Sequence, residues 1–291
     1  MMLLLLPTKW LTIVLAVEIL GAQTPAAMSA DLRPKTVEAF DRYAQLTEAR
    51  INGELSQTDR FLYVDGLPAE RRAEALAALK RGEILMERLQ TLDASGQKIE
   101  ALNAIIHHWL GAVFVPGTNL HETIALMQDF NRHQEIYNPE LVRSRLLTHQ
   151  GNDFTIYYRL RMKKVITVTF NTNHEVHYFP VDSKRWYSRS YATRIAEVAD
   201  AGTPNEHEKP IGNDGGFLWR FNSYWKFEEK DGGVYIESES VCLTRDIPVG
   251  LGWLIKPFVT SIPRESLEMT LDSTRTALVA GSGRQAVGGG Q

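Results

Sequence analysis

The chain has 291 residues, of which 44% are hydrophobic and 23% are charged, as in an ordinary globular protein with a sizeable core. The formal net charge of −3 argues against a general affinity for nucleic acid or for acidic membrane surfaces. Cys242 is the only cysteine, which excludes an internal disulfide and any cysteine-based metal or redox motif.

The first 30 residues have the order of a secretory signal peptide. Lys9 supplies an early positive charge, an apolar run follows over residues 10–22, and small residues precede Asp31. The run is shorter than the roughly 20 residues that a membrane span needs, although Glu18 lies within it. We therefore predict a signal peptide over residues 1–30, cleavage near Ala27–Ala30, and an exported protein, either periplasmic or secreted. A retained membrane anchor is the alternative.

Residues 31–82 predict an N-terminal helical extension. Val37, Phe40, Tyr43 and Ala44 form one apolar face, and Pro68 begins a second helix rich in alanine and arginine. Both helices have polar backs, which favours a cover packed on the rest of the protein.

Residues 83–278 predict an α+β domain. Strands are expected at 83–92 and 101–115, followed by a helix over 120–130 that Asn119 caps. From residue 141 the hydrophobic residues recur with a period of two, which predicts a run of antiparallel strands.

The chain is predicted to close with a long C-terminal helix, whose Leu267, Leu271 and Leu278 form one stripe. Pro257 is expected to bend or break this helix, and Pro263 suits a first helical turn. Residues 279–291 have little to bury and predict a disordered tail.

Four stretches of the sequence are similar to a known superfamily: IIHHWLGAVFVPG, MQDFNRHQEIYNPELVRSR, GFLWRFNSYWKFEEKDGGVYIESESVCLTRDIP and GLGWLIKPFVTSIPRESLEMTLDSTR. With the order of elements, they resemble the START-like (SRPBCC) superfamily of exported bacterial type, which includes polyketide cyclase/dehydrase-like and Bet v 1-like proteins. The resemblance implies a helix-grip fold, in which a curved antiparallel sheet wraps around the C-terminal helix. It also implies a cavity between sheet and helix that holds a hydrophobic small molecule or lipid.

The hairpin over residues 217–245 turns at Asp231-Gly232-Gly233 and has two faces. Large aromatic residues of its first strand lie beside small residues of its second, which fits either close packing or a cavity wall. With the upstream half of the C-terminal helix, the predicted lining is Trp219, Phe221, Ser223, Trp225, Ser238, Ser240, Cys242, Trp253, Leu254 and Phe258.

The opposite face of the hairpin is polar and is expected to meet solvent or the helical cover. It carries Arg220, Asn222, Tyr224, Lys226, Glu237 and Glu239. A register shift of one residue would exchange the two faces.

Three functions fit the sequence, in this order: a carrier or binder of a hydrophobic ligand, a cyclase- or aromatase-like enzyme, and an interaction module that uses the N-terminal helices. The enzyme would need an ionisable group in the cavity, for which the candidates are His108, Tyr158, Tyr224 and Glu239. Adjacent histidines on a strand, such as His107 and His108, point to opposite faces and cannot hold one ion together. We expect no metal, cofactor or nucleic acid; transient membrane contact would suit a lipid carrier, and no protein partner is identified.

Overall fold

The computed structural model describes residues 29–57, 59–247, 250 and 252–288. The side chains of residues 253–255, 257, 258 and 282–288 lie outside this description. Most of the predicted signal peptide, including Ala27, also lies outside it.

The N-terminal elements are short strand β1 (Ala30–Asp31), helix α1 (Pro34–Leu55), a 3-10 turn (Tyr63–Gly66) and helix α2 (Ala69–Lys80). Pro34 lies in the first turn of α1, where its missing N–H leaves no hydrogen bond unmade. Pro68 is the N-cap of α2, as its position in the sequence predicts.

The main sheet begins with β2 (Leu85–Arg88) and β3 (Ala104–Pro116), and two short helices follow, α3 (Leu120–Gln128) and α4 (His133–Ile136). The Asn119 side chain accepts a hydrogen bond from the backbone N–H of Glu122 and so caps α3. The remaining strands are β4 (Leu141–Gln150), β5 (Asp153–Lys163), β6 (Thr167–Pro180), β7 (Arg185–Ala199), β8 (His207–Glu208), β9 (Asn213–Asp214), β10 (Arg220–Lys230) and β11 (Gly233–Arg245).

Within the described residues, nine strands form one antiparallel sheet in the order β2-β3-β11-β10-β7-β6-β5-β4, with β8 on β7; β1 pairs separately with β9. The turn between β10 and β11 places Asp231 and Gly232 at φ values of 58° and 77°, the left-handed region that a tight two-residue hairpin requires. Together with helix α5 (Gly252–Gly288), this confirms the predicted α+β helix-grip fold.

Helix α5 crosses the inner face of the sheet. Val113 of β3, Ile236 of β11 and Phe227 of β10 pack there around Leu267 and Leu271, which confirms the predicted stripe of leucines. The helix is continuous through Pro257 and Pro263, so it does not break at Pro257 and does not start at Pro263, while a bend at Pro257 stays a prediction. Each proline removes one backbone hydrogen bond. Packing of Val259 and Leu267 against the sheet outweighs that loss.

The helix also continues beyond Leu278 to Gly288, where the sequence predicts a disordered tail. Extending a helix that has already formed costs much less than starting one, which accounts for the extra turns. Residues 289–291 lie outside the description.

Helix α1 covers the outer face of the sheet. Phe40, Tyr43 and Ile51 of α1 share a core with Tyr224 of β10 and Val241 of β11. The 3-10 turn and α2 cover the neighbouring area, where Val64 and Leu79 contact Phe114 and Tyr235. The N-terminal extension is thus joined to the sheet by shared apolar cores. No described helix is both long and apolar enough to cross a membrane.

Candidate functional site

A cavity of 230 Å³ lies between the inner face of the sheet and α5. It is larger than the engineered protein cavity of about 150 Å³ that binds benzene. It is smaller than most sites for drug-sized ligands, which occupy about 300–1,000 Å³. The space therefore suits a compact ligand.

The cavity has a mostly apolar wall, to which the sheet contributes the greater part. From the strands come Ile156, Leu160, Met162, Phe170, Val176, Ile195, Phe221 and Trp225, and from the segment that precedes β10 come Phe217 and Leu218. From the helices and the turn after α3 come Met127, Phe130, Ile262, Pro263, Leu267 and Met269. Helix α5 thus borders the cavity between Ile262 and Thr270, and Leu267 in this stretch also packs against the sheet.

The floor of the cavity follows from strand register. Phe221 pairs with Cys242, Ser223 with Ser240, and Trp225 with Ser238 across β10 and β11, as predicted for the hairpin. Alternating residues of both strands point inwards, so large rings lie beside small side chains. The small side chains leave the space that the rings and helix α5 enclose.

Six of the ten predicted lining side chains line the cavity. These are Phe221, Ser223, Trp225, Ser238, Ser240 and Cys242. Whether they contact a ligand stays a prediction. The side chains of Trp253, Leu254 and Phe258 lie outside the described part of the structure.

Trp219 was predicted to line the cavity and instead packs on the outer face with Phe40 and Tyr43. Its Nε1–H donates to Asp214 Oδ1 over 3.0 Å. Strand β10 begins only at Arg220, after a glycine pair in which Gly216 has a φ of 68°, so the alternation does not extend back to Trp219.

Polar side chains from α4 and the sheet face the apolar space in pairs. The Tyr158 hydroxyl lies 2.6 Å from His133 Nδ1, and His174 Nε2 lies 2.9 Å from Thr172 Oγ1. Burial lowers the pKa of both His133 and His174 to about 4, so both imidazoles are neutral at pH 7. Burial raises the pKa of Glu140, and its hydrogen bond with Ser266 offsets this only in part.

Acidification is expected to destabilise the protein through its buried histidines. His107, His133 and His174 each have a folded-state pKa of about 4, below the ordinary 6.5, so the unfolded chain binds more protons between these values. Stability that is present above pH 6.5 is therefore lost as the pH falls towards 4. At pH 5, the free energy of unfolding should be lower by about 2 kcal/mol for each of these histidines. Urea unfolding at pH 7 and pH 5 measures the loss.

A His174→Gln variant isolates one of these contributions. Between pH 7 and pH 5, the free energy of unfolding of this variant should fall by about 2 kcal/mol less than that of the unchanged protein. Equal losses in the two proteins would show that His174 does not titrate with a depressed pKa.

A cluster of charged residues lies on the outer face, beneath α1. Lys226 Nζ is 2.7 Å from Glu54 Oε2 and 3.2 Å from Glu237 Oε1, and Glu239 contacts Arg50 and His108. We call these six residues the outer-face cluster. The polar face of the hairpin thus meets the helical cover, which is one of the two surroundings that the sequence allowed.

The four candidates for an enzymatic group separate between the two faces. Tyr158 lines the cavity. His108 and Glu239 belong to the outer-face cluster, with 2.6 Å between His108 Nε2 and Glu239 Oε1, and Tyr224 donates a hydrogen bond to Glu48 of α1. His107 and His108 point to opposite faces, as expected for a strand: His107 bonds Thr244, which lines the cavity, and His108 bonds Tyr43 of α1.

Sequence reasoning missed several polar lining residues. Ser188 and Ser190 of β7 pair with Trp225 and Ser223 of β10, respectively. Their small side chains at alternate positions of a neighbouring strand were a usable signal. Glu140 had no such signal, because its burial depends on how α5 passes over the start of β4.

No protein-family model matches the sequence, and no curated protein matches it. Solved structures of similar fold do exist. A STAR-related lipid transfer protein from Xanthomonas axonopodis is 14% identical, with 66% of this chain and 98% of that chain covered and a TM-score of 0.44.

Two further solved structures of similar fold have different names. The Zhui aromatase/cyclase from Streptomyces sp. R1128 is 12% identical over 64% of this chain and all of that chain, with a TM-score of 0.37. Human STARD10 is 7% identical over 72% of this chain and 80% of that chain, with a TM-score of 0.38. At such identities and TM-scores, neither a ligand nor a reaction is carried from these proteins to this chain.

Proposed function

We propose that the protein binds a compact, mainly apolar small molecule in the cavity between the sheet and α5, as a carrier or binder. The observation that supports this is the cavity itself, 230 Å³ of space walled by aliphatic and aromatic side chains. Protein interiors are otherwise close-packed, so a space of this size is a feature of the fold rather than ordinary imperfection. Apolar lining with a few polar groups is typical of ligand sites.

Binding of butylbenzene tests the proposal, because this probe is compact and almost entirely apolar. Isothermal titration calorimetry should detect one site on the purified protein. A Ser240→Phe variant should bind at least tenfold more weakly, since the added ring occupies the floor of the cavity. Thr193→Phe places the same ring at an exposed position of β7 and should bind as the unchanged protein does.

Folding of Ser240→Phe is checked by circular dichroism and by its unfolding transition. No binding to the unchanged protein, or equal binding to both phenylalanine variants, would contradict a ligand in this cavity.

A cyclase- or aromatase-like enzyme that uses the same cavity is the second candidate. The observation that favours it is Glu140, a half-buried residue that lines the cavity and whose pKa is raised by burial. A Glu140→Gln variant distinguishes the two candidates. A bound compound that is chemically altered by the unchanged protein and not by the variant would support an enzyme, whereas an unaltered compound in both supports a carrier.

We also propose that the protein acts outside the cytoplasm, on the basis of the charge, apolar run and small residues in residues 1–30. N-terminal sequencing of the mature protein tests this. A chain that begins near Asp31 supports export, and a chain that retains Lys9 would contradict cleavage.

A further inference from the structure

Five serine hydroxyls form a polar patch in the floor of the apolar cavity. Ser190 of β7, Ser223 of β10 and Ser240 of β11 lie side by side across three neighbouring strands. Ser188 and Ser238 lie in the next row on either side of Trp225. All five line the cavity, and we call them the serine patch.

Ser238 is the member of the patch whose hydroxyl is both fully buried and without a hydrogen-bond partner. Its side chain is 1% exposed. Buried polar groups nearly always have a partner, because an unpaired hydroxyl costs about 1–3 kcal/mol. Ser238 lines the cavity, and rotation about its Cα–Cβ bond between staggered rotamers would turn the unpaired hydroxyl towards a polar atom of whatever occupies the space.

The charge of the surrounding groups narrows the chemistry of that atom. Glu140 is the acidic residue of the lining, and a ligand carboxylate in the same space would gain nothing from it. His133 and His174 are neutral near pH 7 and supply no positive charge. An anionic ligand would have to give up its hydration on entering the cavity. Glu140, His133 and His174 offer it no positive charge in return, so its transfer is strongly unfavourable.

We propose that the serine patch, through the unpaired hydroxyl of Ser238, recognises a hydroxyl or carbonyl oxygen of a compact, uncharged ligand. This inference rests on the proposed function and adds the class of ligand: a neutral alcohol or ketone rather than a carboxylic acid. Ser238 Oγ donates to a carbonyl, or exchanges a hydrogen bond with a hydroxyl, while the apolar remainder lies against Phe221, Trp225 and Leu267.

Three probes of one shape test the inference: 4-phenylbutan-1-ol, 4-phenylbutanoate and butylbenzene, titrated into the full chain at pH 7.5. The carboxylate is expected to bind at least 100-fold more weakly than the alcohol, because an ionised carboxyl cannot be buried there unpaired. A Ser238→Ala variant should weaken binding of the alcohol about fivefold, the effect of one ordinary hydrogen bond. The affinity for butylbenzene should stay within twofold.

Two further variants control the comparison. Ser238→Cys replaces the hydroxyl with a thiol, which is a weak hydrogen-bond donor, and should show the same selective loss. Ser144→Ala removes a buried hydroxyl that is bonded to Gln134 and does not line the cavity. This variant should therefore change neither the affinity for the alcohol nor the affinity for butylbenzene.

The possible failures are distinguishable. If butylbenzene binds in the cavity but Ser238→Ala affects alcohol and hydrocarbon equally, the serine patch is not a recognition site, while the proposed function stands. A carboxylate that binds as tightly as the alcohol would also overturn the inference. If none of the probes binds, the proposed function fails and the inference fails with it.

Discussion

Replacement of Lys226 by methionine is expected to lower the free energy of unfolding by about 3–5 kcal/mol, the usual effect of breaking a buried ion pair. Lys226 is 3% exposed, and its ammonium lies between Glu54 and Glu237. Burial lowers the pKa of Lys226, but the two carboxylates outweigh burial and raise it above its ordinary value, so the amine stays charged. Methionine keeps the length of the side chain and removes the charge.

Urea denaturation at pH 7 measures the loss, and a matched lysine is the control. Lys80 is 2.8 Å from Asp231 in a largely exposed pair, so Lys80→Met should cost less than about 1 kcal/mol. The difference in free energy of unfolding between Lys226→Met and the unchanged protein should also become smaller as the pH falls from 7 towards 5. Without the ammonium, burial and the charge of Glu239 still raise the pKa of Glu237, and only the hydrogen bond from the Tyr63 backbone N–H lowers it, so the variant's folded state takes up a proton.

Similar small losses in both lysine variants would mean that the outer-face cluster is not held in low-dielectric surroundings beneath α1. A loss in Lys226→Met that does not change between pH 7 and pH 5 would mean that Glu237 stays ionised without its partner.

The second large effect concerns the contact between α5 and the sheet. Leu271 is 0% exposed and packs over Gly111 of β3. Leu271→Ala should lower the free energy of unfolding by about 2–5 kcal/mol, because the helix cannot move close enough to fill the space. Gly111→Ala should cost about 1–3 kcal/mol, because its Cβ would overlap Leu271 Cδ1 and lie 2.9 Å from Met86 Sδ.

The double variant Gly111→Ala/Leu271→Ala gives the sharper result. Since the shortened side chain makes room for the added methyl group, the combined loss should be at least about 1 kcal/mol smaller than the sum of the single losses. Leu147→Ala, at an exposed position of β4, should change stability by less than about 0.5 kcal/mol. Additive losses at residues 111 and 271 would contradict direct packing of the helix on this strand.

The sequence predicted the fold and the hairpin register because both depend on local patterns. The Asp231-Gly232 turn sets which residues of β10 and β11 lie opposite each other, and alternation then places Ser223, Ser238 and Ser240 on one face. Trp219 was misplaced because a glycine-containing turn precedes β10 and ends the alternation.

The long-range features could not be predicted in the same way. That Arg50 and Glu54 of α1 meet Lys226 and Glu239 depends on how the N-terminal helix lies across the sheet, which no spacing within α1 reveals. The position of Gly111 under Leu271 likewise depends on where α5 crosses β3. The continuity of α5 through Pro257 shows tertiary packing overriding a local preference.

The central claim is that an apolar ligand lies between the sheet and α5, and nuclear Overhauser effects between butylbenzene and isotope-labelled isoleucine methyl groups test it directly. The claim predicts effects from Ile156 and Ile195, which line the cavity, and none from Ile51, which is buried on the outer face. Effects confined to Ile51, or no change in the methyl signals of Ile156 and Ile195 at saturating butylbenzene, would contradict it.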